Sequence, residues 1–159
     1  MGKFFMLLAL FGMAAAQAAQ AAPVLQAFEP DSLVRILEKQ KGKPFVLILW
    51  SLDCEYCQAS LQVLSREKRR DKNLRVVTLS TDPAGDAQAA ALMRKRLASL
   101  GMASDAWAFG AAPAEQLRYV VDPRWHGEMP RSYWFDAQGG KVAYSGVLTP
   151  LALKKLAIH

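Results

Sequence analysis

Cysteine and histidine are both scarce, with two of each in 159 residues. One internal bridge is the most the chain can form, which excludes a scaffold of several disulfides. Structural zinc asks for four ligands. Both cysteines, His126 and the final residue His159 would have to converge on it, and there is no second CxxC and no HxxxH. No cysteine lies near residue 22, so lipid attachment at that point is excluded. Beyond residue 22 there is no internal repeat, low-complexity tract or interdomain linker, which excludes repeat arrays and strings of domains. The formal charge of +6 comes without a basic stripe interleaved with aromatics, so no nucleic-acid partner is expected. The basic runs at residues 66–70, 94–96 and 154–155 fall late in predicted helices. There, cations complement the negative end of the helix dipole, and they read as solvated faces.

What is present fits one ordinary domain. The length allows a single core, and 52% of the residues are apolar, which argues against disorder. Lys3 is followed by an apolar run at residues 4–11, then by an alanine-rich stretch ending in Ala19, Gln20 and Ala21. A positive start, a short apolar stretch and a small-x-small site are the parts of a secretory signal. Residues 1–22 are therefore read as a signal peptide cut after Ala21, with an uncleaved anchor as the alternative. Residues 23–159 form the single exported domain, placed in the periplasm and expected to be a monomer.

Along that domain, Pro30 and Asp31 followed by Leu33, Ile36 and Leu37 predict a capped amphipathic helix. Residues 45–50 are an unbroken apolar run without two-residue alternation, the mark of a strand buried on both faces. Cys54, Cys57, Leu61 and Leu64 follow at helical spacing. A second buried strand is expected at residues 74–80, then a helix starting at Asp86 with Ala90, Met93, Leu97 and Leu100 on its apolar stripe. Such a strand, helix, strand, helix order is a parallel βαβ unit. A short extended piece near residues 107–109 and one or two helical turns near 114–117 come next. Residues 132–135 and 142–144 flank a glycine-rich turn and predict an antiparallel hairpin. Thr149 and Pro150 start a last helix. The fold class is α/β, a central mixed sheet with helices on both faces.

The two cysteines, separated only by Glu55 and Tyr56, close a loop too short to stabilise the fold much. Chemistry is the stronger reading of the pair, a structural bridge the weaker. A cysteine exchanges electrons as its thiolate, and unpaired amides at a helix N-terminus favour that anion. Cys54 is thus the expected nucleophile, and Cys57, one turn further in, the resolving thiol. The negative charges of Asp53 and Glu55 oppose the dipole and point toward a reductant. The redox pair needs no other cofactor. Cys54, Cys57 and His126 together also make a candidate Cu(I) set, the alternative reading of the same residues as a metallochaperone or copper-site assembly factor.

Two blocks of residues carry a resemblance. Trp50 through Cys57 match a W-x-x-x-C-x-x-C start, and Met129, Pro130, Arg131 and the hairpin through Gly146 match a proline-strand-turn signature. In these the chain resembles the thioredoxin superfamily and its exported TlpA-like branch over nearly all of residues 24–158. The resemblance implies a thioredoxin-like fold and a thiol:disulfide oxidoreductase acting on cysteine thiols or disulfides of exported proteins, fed by a membrane electron donor. It implies that Pro130 is cis, that Met129 offers its backbone to an extended partner segment, and that Trp50 and Arg131 border the site. Three positions depart from the pattern. Ile48 stands where a buried acid serves as proton acceptor for the second cysteine, which makes Glu128 the candidate for proton transfer. Asp53 replaces a tryptophan, and Arg131 stands where haem-protein assembly relatives carry an acid. Trp125 and His126 are expected near the same loop.

Overall fold

Six apolar residues in succession, Phe45–Trp50, leave a strand with no polar face, and it occupies the middle of the sheet, where both faces are covered. The computed structural model describes residues 24–156. The expected signal peptide or anchor at residues 1–22, and His159, lie outside the described residues. In chain order the elements are β1 (Gln26–Phe28), α1 (Ser32–Gln40), β2 (Phe45–Trp50), α2 (Glu55–Arg70), β3 (Val76–Pro83), α3 (Ala87–Ser99), β4 (Ala106–Phe109), α4 (Ala114–Val121), β5 (Arg131–Phe135), β6 (Lys141–Ser145) and α5 (Pro150–Leu156). Among the described residues no helix is long and apolar enough to cross a membrane.

The sheet runs β1-β4-β3-β2-β5-β6. Its first four strands are parallel and the last two pairings antiparallel, so it is mixed as expected. Alternation along β2 splits the core in two. Val46, Ile48 and Trp50 pack with Cys57, Leu61 and Leu64 of α2, Met93 and Leu97 of α3 and Leu153 of α5. Phe45, Leu47 and Leu49 pack on the other face with Ile36 of α1 and Leu117 and Val121 of α4.

Local signals set most element ends. The Asp86 carboxylate accepts the N–H groups of Gln88 and Ala89, both at 2.9 Å, and starts α3. Thr149 Oγ1 accepts the Ala152 N–H at 3.1 Å and starts α5. In the β5–β6 turn Asp136 accepts the N–H groups of Gln138 and Gly140, while Gly139 takes φ +88°, which favours glycine.

Three element ends differ from expectation, and strand β1 was not expected at all. Asp31 precedes α1 without a side-chain cap bond. Its carboxylate pairs with Arg35 at 3.3 Å, and the Ser32 hydroxyl accepts the Glu29 N–H at 2.8 Å instead. Strand β1 has three residues, too few to show a period, and it forms only because β4 offers an open edge. Helix α4 runs to Val121, about two turns and four residues past the 117 expected as its end, because Leu117 and Val121 both find the core. Strand β3 continues to Pro83, three residues past its apolar run.

Candidate active site

Buried β2 delivers the chain to the top of the sheet, and Ser51, Leu52 and Asp53 turn it into α2. Cys54 is the N-cap residue, in extended conformation, and its Sγ accepts the Cys57 N–H at 3.1 Å. The Cys54 carbonyl accepts the N–H groups of Cys57 and Gln58 at 3.1 and 3.2 Å. Two further bonds hold the turn. Gln58 Nε2 donates to the Ser51 carbonyl at 3.1 Å, and the Leu52 N–H donates to Asp82 Oδ2 at 2.8 Å. Asp82 is itself held by the Ser80 hydroxyl at 2.6 Å. The cysteines form a disulfide, with Sγ atoms 2.10 Å and Cα atoms 5.2 Å apart.

The two sulfurs are not equivalent. Cys57 is fully buried among α2 and sheet side chains, while Cys54 is half-buried at the surface. Asp53, Glu55 and Tyr56 are exposed around it. An incoming sulfur therefore meets Cys54 first.

Strand β5 lies antiparallel to β2 with Leu49 opposite Arg131, which brings the preceding Pro130 to the end of β2, just before the cysteine loop. The Met129–Pro130 peptide bond is cis. Pro130 is buried and its carbonyl accepts the Gly146 N–H at 2.9 Å. Met129 is half-buried, touches both core clusters and brings its Sδ to 3.8 Å from the Thr81 hydroxyl.

Several residues singled out from sequence stand elsewhere. Trp50 is wholly buried, because its place on β2 points it into the α2 core, and it backs the loop from beneath without offering surface to a partner. Arg131 shares a face with Tyr133, the α1–α4 side of the sheet, and its guanidinium lies 5.0 Å from the Tyr133 ring centre. It pairs there with Asp122 at 3.4 Å and Glu128 at 3.1 Å, so its charge is spent away from α2. Glu128 accepts further bonds from the Ser145 hydroxyl at 2.9 Å and the His126 N–H at 3.2 Å. Partial burial would raise its pKa, but these donors, its own N–H and Arg131 together hold it below the usual value. A carboxylate so occupied is a poor proton acceptor. Ile48 is buried beneath α2, where it can neither take nor give a proton.

Trp125 is buried in the α1–α4 core with its indole N–H on the Glu128 carbonyl at 2.9 Å, so it braces the loop and shapes no outer groove. His126 is exposed. Among the described residues no three His, Cys, Asp or Glu side chains are close enough to hold a metal, so His126 is not gathered with the cysteine pair.

Ser80, Thr81, Asp82 and Asp122 were not anticipated. The first three were visible as a polar tail on an apolar strand, at the carboxyl end of a parallel sheet, where sites collect. Asp122 carried no such signal, since only the fold brings it to Arg131.

No protein-family model and no curated protein matches the chain. Solved structures do. A secreted disulfide oxidoreductase of Mycobacterium tuberculosis homologous to DsbE is 17% identical, with a TM-score of 0.55 over 76% of this chain and 86% of that one. A thioredoxin-family thiol:disulfide interchange protein of Chlorobium tepidum is 13% identical, with a TM-score of 0.56 over 76% and 81%. A DsbF homologue of Corynebacterium diphtheriae is 18% identical, with a TM-score of 0.54 over 76% and 74%. Across these distances the backbone is what persists, and the chain has the thioredoxin-like fold of thiol-disulfide oxidoreductases.

Proposed function

We propose that this protein is a periplasmic thiol:disulfide oxidoreductase that reduces cysteine disulfides of exported proteins and is recharged by a membrane electron donor. One observation carries the reading: a closed Cys54–Cys57 disulfide at the start of α2 has one sulfur at the surface and the other sealed behind it. In the reduced protein the Cys54 thiolate attacks a partner disulfide. A Cys54–partner S–S bond forms and the first partner sulfur leaves as thiolate. The Cys57 thiolate then attacks Cys54 Sγ, the internal disulfide forms and the second partner sulfur leaves. Two electrons pass to the partner, and a dithiol donor returns them.

Helix amides stabilise the Cys54 thiolate, and the Cys57 N–H already points at that sulfur. With Ile48 inert and Glu128 occupied, water is left to carry the Cys57 proton. Among the described residues neither backbone polar group of Met129 has a partner within the chain. It is thus free to pair with an extended partner segment alongside the disulfide. The domain works as a monomer.

Dithiol-driven reduction of insulin tests the activity, and Cys57→Ser tests the route. The variant should accumulate mixed disulfides through Cys54 in a periplasmic extract. Absence of adducts, with tight Cu(I) binding in a chelator competition, would turn the same cysteines into a copper site.

A further inference from the structure

Far from the cysteine pair lies the end of the molecule where β1, β2, β3 and β4 begin and β5 finishes. The α1–β2 and α2–β3 loops, the β5–β6 turn and the last turns of α2 and α5 meet there, and the basic runs at 66–70 and 154–155 share that end with Lys41, Lys43 and Lys72. Lys68, Arg69 and Lys72 line a cleft of about 520 Å³. Beside it a groove of about 280 Å³ runs between Arg70 and Lys154 over the apolar floor of Leu74 and Trp134. Lys41 and Lys43 border the next depression.

Most acids of this end are already engaged, Glu38 in the last turn of α1 being the exposed exception. Glu67 pairs with Arg70 at 3.0 Å, Asp105 pairs with Lys39, and Asp71 and Asp136 accept backbone N–H groups of their own turns. Among the described residues Lys41, Lys43, Lys72 and Lys154 have no carboxylate within ion-pairing distance. At the other end Asp53, Glu55, Asp82 and Asp86 surround the start of α2 and α3. The charge is uneven, with unpaired cations gathered opposite the disulfide, whereas around it acids stand beside Lys95 and Arg96.

We propose that the basic end docks on an anionic lipid surface and turns the Cys54–Cys57 pair away from it. Charge complementarity is one reason, since each lysine or arginine brought to such a surface strengthens binding about fivefold. The path of the chain is a second, independent one. Strand β1 starts at the basic end. The chain before residue 24 is thus joined to the domain at that pole, and the apolar run at residues 4–11 would reach a membrane from there were it retained as an anchor. Nucleic acid is disfavoured because no exposed aromatic stands among these cations to stack a base.

The test is co-sedimentation of the full chain with phosphatidylcholine vesicles and with vesicles that also contain phosphatidylglycerol. The quantity read is the gain due to phosphatidylglycerol, which an apolar segment alone does not confer. Lys41→Gln, Lys43→Gln, Lys72→Gln and Lys154→Gln, combined, should cut that gain about fivefold per cation removed. None of these side chains makes a hydrogen bond within the described residues, and an unchanged circular-dichroism melt confirms folding. Lys95→Gln with Arg96→Gln, on the flank of α3 beside Asp53, should change it less than twofold. The proposal is overturned if the fourfold variant keeps the full gain, or if the α3 variant loses as much per cation. Tighter binding to single-stranded RNA than to the anionic vesicles at equal salt overturns it as well.

Discussion

The Arg131 guanidinium and the Asp122 carboxylate meet at 3.4 Å on the covered side of β5, with side-chain exposures of 13% and 2%. Asp122 ends α4, Arg131 follows Pro130, and Glu128 closes the triangle with Arg131 at 3.1 Å. The segment that presents Met129 is therefore clamped at both ends by charge. Removing one partner of a buried pair leaves the other charge uncompensated, at about 3–5 kcal/mol. Asp122→Ala should cost about 3 kcal/mol in a urea melt, the low end of that range, since Glu128 still serves Arg131. Adding Arg131→Met should recover most of the loss. Additive costs in the double variant would show that the pair is not coupled.

The same carboxylates set the acid limit. Burial alone would raise the Asp122 pKa, but the Arg124 N–H, Lys141 and Arg124 outweigh it and hold the group below its ordinary 3.8. Glu128 is likewise held below its ordinary 4.5. A depressed carboxylate contributes stability that is complete above its unfolded pKa and is lost as pH falls through the folded value. Stability should thus hold above about pH 4.5 and decline below it. Asp122→Asn should flatten that decline, read from urea midpoints across the acid range.

At the alkaline end the sign reverses. Burial pushes the Tyr133 phenol from 10.0 up to about 12, against the pull of Arg131. The folded protein favours the neutral phenol, so this contribution is whole below pH 10.0 and fades as pH rises toward 12. A loss on the order of 2 kcal/mol is expected across that window. Tyr133→Phe should remove the Tyr133 share of the alkaline slope, and an unchanged slope would show that this phenol is not its source.

Which features were legible in sequence follows from what each signal encodes. The run at residues 45–50 announced a doubly buried strand, and its alternate side chains do enter two cores. The Asp86 cap and the Asp136 turn act within four residues, so they could be read in place. Partners across the fold could not. Arg131 looked like a neighbour of Cys54 by chain position, but one step of strand pleat puts its side chain on the opposite face. Trp50 carried the motif and turned out to be core for the same reason.

Asp82 illustrates a contact of the second kind that matters to the site. Its carboxylate accepts both the Leu52 N–H at 2.8 Å and the Ser80 hydroxyl at 2.6 Å, tying the end of β3 to the cysteine loop. Leaving two donors without their acceptor costs about 1–3 kcal/mol. Asp82→Ala should lose that amount and speed deuterium exchange at Leu52, whereas Asp82→Asn, which keeps a carbonyl acceptor, should restore most of both. Unchanged Leu52 exchange in Asp82→Ala would mean that the bond does not hold the loop.

Exposed acids beside Cys54 bias the direction of electron flow. Asp53 and Glu55 flank Cys54 and are both exposed. Each places negative charge beside the sulfur that must carry the thiolate, which disfavours the reduced form and lowers the potential. Solvent weakens such effects to roughly 0.5 kcal/mol per charge, equivalent to about 10 mV for a two-electron couple. Asp53→Asn and Glu55→Gln should therefore each raise the Cys54–Cys57 potential by about 10 mV, measured against a glutathione buffer. Added salt should raise the potential of the unmodified protein in the same direction and move the double variant less, because the two acids flanking Cys54 are then absent. A potential that falls on neutralising these acids would mean that they stabilise the reduced form, and the case for a reductant built on them would fail.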